Sequence, residues 1–105
     1  MGKVYFITDG IDIKIGFTEQ DIKKRIKQLS TGSSKKIYEL GWITGDKAKE
    51  KELHRNFIKE KIRQNGEWFY ASEVLIEYIN EHNEKPNVFI EKIDNKLVKL
   101  LKISS

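Results

Sequence analysis

The chain has 105 residues, which is enough for one compact domain. Charged residues make up 34% and hydrophobic residues 38%, so we expect a modest core and no membrane-spanning segment. The absence of cysteine excludes disulfides, thiolate metal sites and cysteine catalysis. Together with the lack of a signal peptide, it favours an intracellular, cytoplasmic protein, or a nuclear one in a eukaryotic host. The net charge of +4 favours an anionic partner such as nucleic acid.

The first element is a predicted β-hairpin. Asp9-Gly10 lies between two alternating apolar runs and predicts a two-residue turn. In that register Tyr5 stands directly opposite Lys14 on one face of the hairpin, with Gly16 close by. The other face is apolar, and its side chains are those of Val4, Phe6, Ile13, Ile15 and Phe17.

A helix, a strand and a second helix are predicted next. Thr18 has the properties of an N-cap for a first helix that runs to about Ser30 and stops at Gly32. The alternation over residues 37–43 predicts a third strand. Gly45-Asp46 then opens a long helix over residues 47–63, whose apolar stripe consists of Leu53, Phe57, Ile58 and Ile62.

The remaining part of the chain contains one further helix and an ambiguous tail. Ser72 is predicted to cap a third helix that buries Val74, Leu75, Tyr78 and Ile79. After Pro86, residues 88–93 and 97–103 around Asp94-Asn95 fit a second hairpin. The spacing of Leu97, Leu100 and Leu101 also fits a helix, and we favour the hairpin.

These elements define an α+β fold with a small three-stranded antiparallel sheet flanked by helices. Residues 1–85 form the main domain, and residues 86–105 are a C-terminal extension, hairpin or helix, packed on the same domain.

The first helix carries an arginine on its inward stripe. Arg25 lies three residues after Ile22 and four before Leu29, so it shares their face. A buried stem with a solvated head is one interpretation, and a role in binding an anion is the other. Lys24 and Lys27 fall on other faces of the helix, at solvated positions.

The second helix repeats this pattern with an acidic residue. Glu50 precedes Leu53 by three residues and therefore lies at the start of the buried stripe, and His54 shares much of that face. The pair lacks a third zinc ligand and the H-E-x-x-H pattern. Magnesium needs only one carboxylate, waters and a substrate phosphate. Further along, Glu67 either bonds to a nearby backbone or lines the site.

In the order of its motifs, this chain resembles the GIY-YIG nuclease superfamily over residues 3–80. Val4-Tyr5-Phe6 corresponds to the first motif and Lys14-Ile15-Gly16 to the second, and Arg25 matches the arginine of the first helix. Glu50-Lys51-Glu52-Leu53-His54 matches the metal-binding E-x-x-L helix. Leu29-Ser30-Thr31-Gly32 and Gly66-Glu67-Trp68-Phe69 are similar to the compact branch found in phages, large viruses and bacteria.

The resemblance implies a metal-dependent endonuclease that hydrolyses DNA phosphodiesters. Tyr5 is implied as the general base, Arg25 as the ligand of the scissile phosphate, and Glu50 as the ligand of one Mg²⁺ or Mn²⁺ ion. Lys14 supplies positive charge or positions the water, and His54 completes the implied catalytic set. For nucleic-acid binding we assign Gly16, Lys24 and Lys27.

The chain departs from the family at three positions that bear on activity. Lys14 replaces the tyrosine of the second motif, and the histidine often found after the arginine is absent. The asparagine that follows the glutamate in many members has no clear match, so His54 or Glu67 fills that space. The alternative function is therefore a nucleic-acid-binding module of the same fold with little or no activity, and a third hypothesis is a protein-interaction domain. DNA is the expected partner, with RNA as the alternative, and we expect strong sequence specificity to need a homodimer or a larger partner.

Overall fold

The computed structural model describes residues 2–31, 36–63 and 66–101 and confirms the α+β class. A four-stranded antiparallel sheet has the order β3-β1-β2-β4, and β5 and β6 form a separate hairpin. The fourth strand of the sheet is an addition to the three that were predicted. In chain order the elements are β1 (Lys3–Thr8), β2 (Asp12–Thr18), α1 (Ile22–Ser30), β3 (Tyr38–Thr44), α2 (Lys47–Asn56), a single 3-10 turn (Ile58–Glu60), β4 (Trp68–Tyr70), α3 (Glu73–His82), β5 (Val88–Ile93) and β6 (Lys96–Leu101).

The register of the first hairpin differs from the prediction by two residues. Tyr5 pairs with Gly16, and Lys14 pairs with Ile7 rather than with Tyr5. The connection has more residues than a two-residue turn because side chains hold it open. Asp9 Oδ1 accepts hydrogen bonds from the amides of residues 11 and 12, and the hydroxyl of residue 8 donates to the carbonyl of residue 12.

The predicted division of the hairpin into two faces is correct, because a shift of two residues preserves which side each residue faces. Tyr5 and Ile7 pack under α1 with Ile22. The other face holds the main core beneath α2, α3 and the C-terminal hairpin, and its buried members include Val4, Phe6, Ile13, Ile15, Leu53, Phe57, Phe69, Leu75, Ile79 and Ile90.

The ends of α1 and α2 correct two predictions. The N-cap of α1 is Asp21, whose carboxylate accepts from the amide of residue 23, whereas Thr18 ends β2 and is buried. The predicted stop at Gly32 lies outside the described residues. The second helix ends at Asn56 instead of continuing to residue 63, because Lys61 pairs with Phe69 and draws the chain into an extended path beside β4. As a result Ile58, which was predicted to be buried, is 54% exposed.

The third helix and the tail follow the predictions closely. Ser72 caps α3 through a hydrogen bond from the amide of Leu75, although Val74 is exposed. The tail forms the hairpin, with Asp94 and Asn95 both at positive φ in its two-residue turn. The side-chain amide of Asn80 on α3 donates to the carbonyl of residue 90 and accepts from its amide, which fastens β5 to α3.

A second asparagine closes the outer edge of the sheet at β3. The pairing of β1 with β3 shifts between Phe6 and Ile7, which leaves Leu40 as the extra residue of a β-bulge. The Asn83 side chain donates to the Leu40 carbonyl and accepts from the Trp42 amide. It therefore satisfies two backbone groups on the open edge of β3. In the described ranges, no helix is long and apolar enough to cross a membrane.

Removing this clamp should destabilise the fold. We expect Asn83→Ala to lower the free energy of unfolding by about 2 to 3 kcal/mol, because two partly buried backbone groups lose their partners. Urea unfolding followed by circular dichroism measures the change. Asn56→Ala, at the exposed end of α2, is the matched control. Equal stability of the two variants would contradict the clamp.

Candidate functional site

Tyr5 stands at the centre of the α1 side of the sheet. It is 1% exposed and packs with Ile7 and Ile22, and partly buried apolar residues surround this group. Its phenol lies directly over its cross-strand partner Gly16, where a Cβ atom would come within 2.3 Å of both Cζ and Oη of the tyrosine. Glycine is therefore required at position 16, because the Tyr5 ring occupies the space of a side chain there. The sequence alone did not reveal this requirement.

Lys14 lies on the same face as Tyr5, two residues along β2 from Gly16. Its ammonium forms an ion pair with Glu67, with 3.1 Å between Nζ and Oε2, and only 12% of its side chain is exposed. The backbone carbonyl of Glu67 also accepts a hydrogen bond from the Ile15 amide. The Glu67 carboxylate therefore contacts Lys14, and the hydrogen bond to the backbone comes from the main-chain carbonyl of Glu67 rather than from its side chain.

Glu50 is a buried acid, 5% exposed, in the first half of α2. Burial is the main cause that raises the pKa of the Glu50 carboxyl above its ordinary value, and the negative charge of Glu67 raises it further. The charges of His54, Lys47 and Lys14 act in the opposite direction without cancelling the effect. Among the described residues, no side chain donates a hydrogen bond to this carboxylate.

His54 lies one helical turn after Glu50 and contacts the sheet. Its Nε2 donates to the Ile15 carbonyl at 3.0 Å, and its ring packs edge-on against Phe69 with 4.9 Å between centroids. These contacts fasten α2 to the edge of β2. His54 therefore helps to position Glu50, which lies one turn earlier on the same helix. The catalytic role assigned to His54 stays a prediction.

Arg25 is half buried on α1, the helix that covers Tyr5. Its Nη1 donates to Gln28 Oε1 at 3.3 Å, whereas its Nε is buried and has no hydrogen-bond partner in the described part of the chain. A buried donor without a partner is costly, and a guanidinium suits the oxygens of a phosphate. Lys24 and Lys27 are exposed on the same helix.

Three consecutive residues of β2 connect most of the predicted site. The Lys14 side chain forms an ion pair with Glu67, and the Ile15 carbonyl accepts a hydrogen bond from His54. The Tyr5 ring packs directly on Gly16. Glu50 is electrostatically coupled to Lys14 and His54. Arg25 lies on α1, over the face of the sheet that carries Tyr5, whereas Glu50 lies on α2, over the opposite face, and no contact between the two is described.

The donor chemistry of this site suits a hard cation. Glu50 supplies one buried carboxylate, and no described group of three or more His, Cys, Asp or Glu side chains is arranged to hold a metal ion. A magnesium or manganese ion fits one carboxylate with waters and a substrate phosphate, and a zinc ion with several protein ligands does not fit.

The fold and this site describe an α+β domain whose charged groups gather at one strand of the sheet. Residues 2–85 match the family model of the T5orf172 domain, so the chain belongs to that family. This domain occurs in phage and bacterial proteins that are associated with nucleases. Searches of curated proteins and of solved structures gave no match. The matched region ends before β5.

The raised pKa of Glu50 predicts how stability depends on pH. Because the pKa of Glu50 is higher in the folded than in the unfolded state, ionisation of Glu50 costs stability as the pH rises above the ordinary value of 4.5. With chelator present, Glu50→Gln should therefore unfold at higher urea than the wild type at neutral pH, and this advantage should vanish in acid. Glu81→Gln, at an exposed position on α3, is the control. An identical urea midpoint for Glu50→Gln and wild type at neutral pH would contradict the prediction.

The contact between Gly16 and Tyr5 predicts a steric effect. Gly16→Ala should lower the free energy of unfolding by about 1 to 3 kcal/mol, because the tyrosine ring must move. Gly66→Ala is the control, since a Cβ atom there has its nearest neighbours at 3.5 Å. Combining Gly16→Ala with Tyr5→Ala should cost less than the sum of the single effects. Strictly additive effects in urea unfolding would argue against the contact.

Proposed function

We propose that this protein is a metal-dependent endonuclease of GIY-YIG type that hydrolyses phosphodiester bonds in DNA. The burial of Glu50 carries the proposal, because a carboxylate that is 5% exposed and accepts no side-chain hydrogen bond from a described residue suits a cation. Membership of the T5orf172 family supports a nuclease-related or DNA-binding role. The unpartnered Nε of Arg25 supports a phosphate ligand on the α1 side.

In this proposal each site residue has one task. Tyr5 acts as a phenolate that accepts a proton from the attacking water while the water oxygen forms a bond to phosphorus and the bond to the 3′ oxygen breaks, which leaves that oxygen as the departing alkoxide. Arg25 binds oxygens of the scissile phosphate, and Lys14 adds positive charge beside it. Glu50 holds the Mg²⁺ or Mn²⁺ ion, which when bound provides Lewis-acid stabilisation of the phosphate and the departing 3′ oxygen.

The burial of Tyr5 imposes a condition on this chemistry. At 1% exposure its phenol has almost no contact with bulk solvent. The attacking water must therefore enter the site together with the substrate or the hydrated ion. This condition predicts that cleavage depends on productive DNA binding rather than on a water already activated in the free protein.

Plasmid nicking with Mg²⁺ or Mn²⁺ tests the assignment. Tyr5→Phe, Arg25→Ala and Glu50→Gln should each lower the nicking rate by at least about 100-fold, because each removes a group that acts in the transition state. The matched controls remove the same groups from exposed positions and should nick at the wild-type rate: Tyr38→Phe, Arg55→Ala and Glu81→Gln.

Two outcomes of this assay would reject the nuclease assignment. Nicking that survives both Arg25→Ala and Glu50→Gln would show that another group or a contaminant cleaves the plasmid. Salt-dependent DNA binding by a wild type that does not nick with either ion would favour the alternative function, a nucleic-acid-binding module of the same fold. The net charge of +4 and the lysine at position 14 are the observations that favour this alternative.

A further inference from the structure

A cavity of about 370 Å³ opens beside the candidate site. It lies between the β1–β2 connection and the segment that leads into β4. The lining residues include two carboxylates, one guanidinium and one indole, and they are Asp9, Asp12, Ile62, Arg63, Gly66 and Trp68.

The residues that line the cavity do not belong to the cluster that Tyr5 and Ile7 form with α1. Tyr5 and Ile7, on β1, pack against α1. On the neighbouring strands Asp12 pairs with Tyr70, and Lys14 pairs with Trp68, so these four side chains project from the same face of the sheet as Tyr5. Tyr70 is 56% exposed, which shows that this part of the face is open to solvent.

The lining favours one kind of ligand over others. The Trp68 indole and the Ile62 side chain offer apolar surface against which a flat ring can pack. The carboxylate of Asp12 repels phosphate and suits hydrogen bonds from amino groups such as the exocyclic amine of cytosine, whereas Asp9 Oδ1 already accepts from the amides of residues 11 and 12. Arg63 adds a cation at the wall. The combination suits a nucleobase with an amino group better than it suits a phosphate or an acidic peptide.

The position of the cavity relates it to the candidate site. Asp12 and Lys14 are alternate residues of one strand and lie about 7 Å apart along it. Trp68 is the cross-strand partner of Lys14. A nucleotide next to a phosphate bound near Lys14 therefore has its base within reach of the cavity.

We propose that the cavity lined by Trp68 and Asp12 binds an unpaired nucleobase that carries an exocyclic amino group, next to the phosphate that is cleaved. This inference rests on the proposed function, which places the cleaved phosphate near Lys14. It identifies the substrate as nucleic acid with an unpaired cytosine, adenine or guanine at the site. A base stacked in a duplex does not fit inside the cavity, so a single-stranded, mismatched or extruded base is required.

Fluorescence tests this binding without any cleavage. The chain has two tryptophans, so Trp42→Phe leaves Trp68 as the single reporter. Millimolar dCMP, dAMP and dGMP are titrated against this protein, with dUMP as the matched nucleotide for dCMP and dIMP for the two purines. At least one amino-bearing nucleotide should quench Trp68 and bind roughly 5- to 100-fold more tightly than its matched nucleotide.

Substitutions identify where the nucleotide binds. Asp12→Asn in the same background should abolish the preference for the amino group, whereas Asp94→Asn in the β5–β6 turn, which does not line the cavity, should keep it. Gly66→Leu is a second test that leaves both carboxylates in place. A Cβ atom at this position makes only ordinary contacts, so the added side chain narrows the cavity and should weaken quenching by every nucleotide.

The inference is overturned if no nucleotide quenches Trp68, if matched nucleotides bind equally, or if Asp12→Asn and Gly66→Leu change nothing. These outcomes are distinct from failure of the proposed function. A protein that binds dCMP over dUMP but does not nick DNA retains the base site and loses the nuclease assignment. A protein that nicks every sequence equally, with no effect of Asp12→Asn on binding, retains the nuclease assignment and loses the base site.

Discussion

The contact of the Tyr5 ring with Gly16 is the constraint on which the site depends. The phenol fills the space that any other residue at position 16 would occupy with its side chain. This contact fixes the tyrosine oxygen against the middle of β2 and beneath α1. Lys14 and Ile15 directly precede the glycine, and their partners Glu67 and His54 lie along the same stretch of strand. The polar groups of the site therefore gather beside the contact between Tyr5 and Gly16.

Folding buries charged groups of this site, and their burial costs free energy. Desolvation of the Glu50 carboxyl and the unpartnered Nε of Arg25 both oppose folding. The core under α2 and α3 offsets these costs, and the His54 hydrogen bond to the Ile15 carbonyl holds α2 against β2 in spite of them. Costs of this kind are typical of sites that bind an ion or a phosphate, since the ligand supplies the missing partner.

The sequence predicted the faces of the first hairpin but not its register. Alternation of apolar residues has period two, so it distinguishes the faces and is unaffected by a shift of two residues. The register depends on hydrogen bonds from Asp9 within the connection, which the Asp-Gly pattern does not reveal. Likewise the apolar spacing through Ile58 and Ile62 extended the second helix too far, because pairing of Lys61 with Phe69 overrides local periodicity.

The site was predictable to the extent that its residues broke a local pattern. Arg25 and Glu50 were identified because charges stood at inward helical positions, and both are at least half buried. The pairing of Lys14 with Glu67 was not predictable, because it depends on β4 joining β2 from more than fifty residues away along the chain. The T5orf172 family match covers the region that holds all of these residues and leaves the β5–β6 hairpin outside.

The decisive measurement is a crystal structure of the wild-type protein with Mn²⁺ and a DNA duplex that carries a non-cleavable phosphate analogue. We expect anomalous density for manganese at the Glu50 carboxylate, and a phosphate oxygen within hydrogen-bond distance of Arg25 Nε on the side of the sheet that carries Tyr5. Manganese bound away from Glu50, or DNA bound elsewhere on the surface with Arg25 Nε still unpartnered, would contradict this expectation.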